Sequence, residues 1–138
     1  MESMTSKVAL SYLENKNIHA HAVESNPNIL KGSFSFKGGS LTYFLDFHED
    51  DEHLHVEALD IAKVPEDKKE SMYKALNEIN ASYNFVKFIL NESRNDIIVR
   101  ADAIIQLDSC GAETYELLIR TVKIVESAYP TIMKAVWS

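Results

Sequence analysis

Cysteine is nearly absent. Cys110 is the only one in 138 residues, so no internal disulfide can staple the fold, and the chain fits a reducing compartment. Proline and glycine are sparse too, with 3 and 4 residues, and they fall in short turn signals rather than in a linker. That leaves a single domain over residues 1–138, long enough to bury a core without metal or disulfide support. No apolar run approaches the length of a membrane span, and the opening residues Met1 to Lys7 lack the apolar core of a signal peptide. The expectation is a soluble cytoplasmic protein. Positive charge is also short: 14 Lys and Arg against 21 Asp and Glu give a net charge of −7. This balance repels phosphate backbones, and the basic residues are scattered, so no nucleic-acid partner is expected.

What the chain does have is alternation. Between Ser33 and Leu59 apolar and polar residues alternate across two turns, the period of antiparallel strands with one buried face. Gly38-Gly39 reads as a two-residue turn, because glycine accepts the positive φ that a type I′ turn needs at both central positions. Closing the chain there pairs Phe36 with Leu41 and Phe34 with Tyr43. The acidic run Glu49-Asp50-Asp51-Glu52 closes the second turn and pairs His48 with His53, Phe47 with Leu54 and Leu45 with Val56. Both placements turn Phe34, Tyr43, Leu45, Phe47, Leu54 and Val56 to the core and Ser33, Ser35, Asp46, His48, His53 and His55 to water.

Around this meander the spacing predicts a helix from Thr5 or Ser6 to Asn15, with a hydroxyl residue as N-cap and a stripe of Ala9, Tyr12 and Leu13. A short strand over about residues 19–23 and a strand over about residues 29–37 follow. Val64-Pro65-Glu66-Asp67 opens a second helix whose buried stripe is Met72, Leu76, Ile79 and Tyr83. Residues 85–90 and 97–105 form a hairpin pairing Phe88 with Val99 and Val86 with Ala101. A last helix starts near residues 109–112 and turns Tyr115, Leu118, Ile119, Val122 and Val125 inward, with Leu117 and Ile124 widening the stripe. So broad an apolar surface calls for a second cover, which a dimer partner would supply. Pro130 is expected to interrupt this helix before a final short turn. The fold class is α+β, in the order α-β-β-β-α-β-β-α, with a mostly antiparallel twisted sheet and helices on one face.

Three stretches carry a family resemblance: Val64-Pro65-Glu66, Ala75-Leu76-Asn77-Glu78-Ile79-Asn80, and Tyr129-Pro130-Thr131-Ile132-Met133-Lys134-Ala135-Val136-Trp137. Together they resemble the YbjN family of bacterial proteins, described as sensory transduction regulators. The resemblance implies a fold similar to the class I chaperones of type III secretion, small acidic homodimers that hold extended segments of a partner protein. It brings no catalytic or ligand-binding residues with it. Asn77 and Asn80 match the family pattern, and asparagine at a helix end is first a cap or turn residue.

The sharpest chemical feature is the wet face of the meander, where His48 lies opposite His53 and Asp46 opposite His55. Imidazoles with carboxylates are ligands for zinc or another borderline divalent ion. The simpler reading is of solvated strand residues beside an acidic turn, since nothing in the sequence orients the rings as ligands. Cys110 beside Gly111 at a helix start would be a reactive thiol only with a base or a second cysteine, and neither is in place. No glycine-rich phosphate loop and no nucleophile elbow occurs. Phe44 and Leu59, by parity on the wet face, form a candidate docking patch. The reading is therefore a noncatalytic, chaperone-like or regulatory protein-binding module, homodimeric, with an unidentified protein partner. No cofactor, metal ligand or catalytic residue is assigned. The alternative is a small-molecule or divalent-metal sensor using His48, His53 and His55.

Overall fold

The computed structural model describes residues 2–138. Helix α1 (Met4–Asn15) starts two residues earlier than Ser6 because Ser3, not Thr5 or Ser6, is the N-cap, its side chain accepting from the Ser6 amide. Then come β1 (His21–Val23), β2 (Asn26–Phe36), β3 (Gly39–Phe47) and β4 (His53–Leu59). A 3-10 turn over Glu66–Lys68 leads into α2 (Lys69–Ser82), and β5 (Lys87–Asn91), β6 (Asp96–Ile104) and α3 (Cys110–Trp137) complete the chain. The strands form one antiparallel sheet in the order β1-β2-β3-β4-β6-β5. The expected short extra strand is β1, and the element order agrees with the α+β expectation.

One face of the sheet carries the core. Leu41, Tyr43, Leu45, Phe47, Leu54 and Val56 are buried there against Ala9 and Leu13 of α1, Met72, Leu76 and Ile79 of α2, and Leu118 and Val125 of α3. The second turn closes as expected, with Phe47 opposite Leu54, Asp46 opposite His55, and the His48 amide donating to the His53 carbonyl. The first turn does not. Phe34 pairs with Leu41 and Phe36 with Gly39, so the turn residues are Lys37 and Gly38. Only Gly38 takes a positive φ, 101°, which is the pattern of a type II turn. Gly39 is a strand residue instead, and a Cβ there would press on Phe36 and on Tyr129 of α3, whose rings meet edge to face at 5.1 Å. The pairing moves by two residues, so every side chain keeps its expected face.

Two expectations for α3 are corrected. Pro130 sits on the exposed side of one uninterrupted 28-residue helix, where water can serve the carbonyl whose donor is missing. The centre of the buried stripe is Thr114, Leu118, Thr121, Val125, Ala128 and Ile132, with Tyr115, Ile119 and Val122 partly buried on its flank. Tyr115 packs on Tyr12 of α1 at 6.1 Å, and Ser127 meets Tyr83, at the end of α2, through a 2.6 Å hydrogen bond. Helix α3 thus packs on both α1 and α2, while Leu117, Ile119, Val122 and Ile124 remain partly exposed.

Candidate functional site

Backbone groups alternate direction along an antiparallel strand, so one known hydrogen bond sets the direction of the rest. The His48 amide points to β4. Residues 41, 43 and 45 of β3 therefore point to β2, where they meet Phe34, Gly32 and Leu30. It follows that Ser33 and Ser35 turn their N–H and C=O away from β3. β1 pairs with β2 only at Asn26, Leu30 and Lys31, so the outer side of residues 32–36 has no neighbouring strand among the described residues. Both serines are exposed.

The same alternation carried through β4 and β6 turns the backbone groups of Phe88 outward at the opposite edge. There they are occupied: Asn80 Oδ1 accepts from the Phe88 N–H at 2.7 Å and Asn80 Nδ2 donates to its C=O at 3.0 Å. Asn80 is thus a structural clamp on β5. Near the end of this hairpin lies a group that sequence reasoning missed. Asp96 is buried, lies 3.5 Å from Lys63 Nζ and from Arg94 Nε, and among the described residues has no hydrogen bond to either carboxylate oxygen. Only the loop polarity hinted at it, and polarity reads as exposure.

The wet face holds the histidines, divided into two groups. His48 and His53 face each other with ring centroids 5.6 Å apart, and Asp50 Oδ2 is 2.6 Å from His53 Nδ1. The Asp50 carboxyl is held below its ordinary pKa, first by the Glu52 amide and then by His53. His55, expected beside them, is engaged elsewhere: Nδ1 meets Asp102 at 2.8 Å and Nε2 meets Glu57 at 3.3 Å. Burial is the largest single influence on His55 and lowers its pKa. The hydrogen bonds to Asp102 and Glu57 and their charges together outweigh it, and the net shift is upward.

Cys110 is buried, and burial, then Glu113 and Asp51, push its thiol pKa up, the reverse of an activated nucleophile. Phe44 is half-buried with the Lys31 ammonium 5.5 Å over its ring, and Leu59 is also half-buried, so the expected apolar patch is not an open one. The large apolar side chains that do stand exposed include Phe85, Ile104 and Trp137. No helix among the described residues is long and apolar enough to cross a membrane.

A six-stranded antiparallel sheet backed by helices on one face, with Asn80 closing one edge at Phe88 and the β2 edge open along residues 32–36, defines an α+β fold. The structure is similar to that of YbjN from E. coli, described as "a putative transcription regulator", with a TM-score of 0.61 and 14% identity over 88% of this chain and 89% of that one. It is also similar to one chain of the heterodimeric ExoU-SpcU complex from the type III secretion system of Pseudomonas aeruginosa, with a TM-score of 0.54 and 12% identity over 91% of this chain and 95% of that one. Comparison with curated protein sequences gives no match. The chain belongs to the YbjN family, described as "putative bacterial sensory transduction regulator", whose model matches residues 12–132.

Proposed function

We propose that this protein is a noncatalytic protein-binding module with a regulatory or chaperone-like role, and that it takes an extended partner segment along the outer edge of β2. The observation that carries this reading is the outward N–H and C=O of Ser33 and Ser35, which offer a ready ladder to an added strand. Small exposed serines leave the approach open. Membership in a family described as regulatory, and the likeness in fold to a chain from a complex of two proteins, support the same role. The homodimer follows as the case in which the added strand is β2 of a second copy, related by a two-fold axis.

Proline at both serines tests this, since it removes the outward donors while the ladder to β3 is untouched. The wild-type chain is expected to dimerise in light scattering and, in exchange for the second copy on the same edge, to retain partner proteins from cell extract. The Ser33→Pro/Ser35→Pro chain, with unchanged circular dichroism, is expected to lose both. A monomeric wild type that retains nothing overturns the reading, as does a doubly substituted chain that keeps the same dimer and the same partners.

A further inference from the structure

We propose that His48, Asp50 and His53 form a binding site for a borderline divalent cation of the zinc type, at the tip of the β3–β4 hairpin. This goes beyond the protein-binding reading and does not rest on it. One donor atom from each of the three residues lies within 4.8 Å of the other two. Ligands around one zinc stand about 3.3 Å apart, from bonds of roughly 2.0–2.1 Å, and all three side chains are exposed, so small rotations close the difference. Two imidazoles and a carboxylate favour zinc, nickel or copper over magnesium or calcium, which prefer oxygen throughout.

The hairpin holds these groups in place before any cation arrives. The His48 N–H donates to the His53 carbonyl at 3.0 Å and fixes the two histidines opposite each other. The Asp51 N–H donates to the His48 carbonyl at 3.1 Å, and the Glu52 N–H donates to Asp50 Oδ1 at 2.8 Å. Asp50 Oδ2 remains, 2.6 Å from His53 Nδ1, where a cation would replace the shared proton. Asp51 in turn accepts from both the N–H and the hydroxyl of Thr5, each at 2.9 Å, so the tip is tied to α1. Such a frame supplies the orientation that the sequence alone left open.

There is room for the remaining coordination positions. On one side His48 and Asp50 line an open cleft of about 830 Å³ with Glu2 and Asp46. On the other, His48 and His53 line a hollow of about 190 Å³ beside Asp102 and Ile104. Three protein ligands with open positions is the arrangement of an exchangeable site rather than a closed structural one.

The test is equilibrium dialysis of the untagged full chain against zinc chloride, with and without magnesium in large excess. One zinc per chain is expected, not displaced by magnesium. The His48→Ala/His53→Ala chain should bind at least about tenfold more weakly and Asp50→Asn severalfold more weakly. His19→Ala/His21→Ala, remote from the hairpin tip, should bind as wild type does. Circular dichroism melts check that each variant folds. Zinc uptake unchanged in the His48→Ala/His53→Ala chain, or equal displacement by magnesium, overturns the site.

Discussion

At the β5 edge the outward N–H and C=O of Phe88 are both taken by the Asn80 side chain, whereas at the β2 edge those of Ser33 and Ser35 have no neighbouring strand among the described residues. A primary amide carries one acceptor and a pair of donors, so it imitates a peptide group and ends the sheet as a one-residue strand. The need differs at the two ends. β5 is built from Phe88, Ile89 and Leu90, and such a strand left open is a template for unwanted pairing. β2 turns serines outward, and an edge of that kind can stay wet until a chosen partner arrives.

The contrast can be broken most forcefully at Asn80. Asn80→Ala leaves a part-buried N–H and C=O without partners, and a loss of about 1–3 kcal/mol is expected in urea unfolding. Asn80→Asp keeps the acceptor and loses the donor, so it should fall between wild type and alanine. A smaller effect is expected at the open edge. Ser35→Pro should shift stability by less than about 1 kcal/mol, while a loss of about 3 kcal/mol would mean that this N–H serves the ladder to β3.

The next effect lies between the edges, at His55 on β4. Its folded pKa is raised above the ordinary 6.5, so its contribution is complete below the unfolded value and is lost as pH rises through the folded one. Thermal melts in chelator-treated buffer should show wild type losing stability relative to His55→Gln as pH rises above the ordinary histidine value. Identical pH profiles would show that Asp102 and Glu57 do not hold the ring in solution. The smallest effect is expected on the β2 side. The Tyr43 hydroxyl is buried with no partner among the described residues, and burial pushes its pKa up to about 12. Tyr43→Phe should therefore be neutral or stabilising by up to about 1 kcal/mol, read from the same melts.

The faces of the strands were legible in the sequence because a period of two survives any register error of two residues. That is why Phe34 and Tyr43 were placed correctly while their pairing was not. Gly38-Gly39 misled because Gly39 is small for the sake of Tyr129, a contact ninety residues along the chain that no local pattern records. The continuity of α3 through Pro130 was hidden for a related reason, since the cost of a proline depends on which side of the helix faces water. Of the hairpin tip, the sequence showed His48 opposite His53. It did not show Asp50 turned back onto His53, or His55 drawn off by Asp102 of a strand added much later. The two uses of the sheet edges were out of reach as well, because they depend on strand order.

The tethers at the start of α1 bear on the order in which the molecule is put together. Ser3 is bonded to Asn28, Thr5 to Asp51, and Cys110 Sγ reaches the Thr5 carbonyl, spans of 25, 46 and 105 residues. Helix α1 precedes every strand in this sequence, and its anchors lie on β2, the β3–β4 turn and the start of α3. Closing such long loops early brings entropy loss before any contact repays it. By this reasoning the docking of α1 is expected to follow the local hairpins, so that the helix closes over the sheet as a latch.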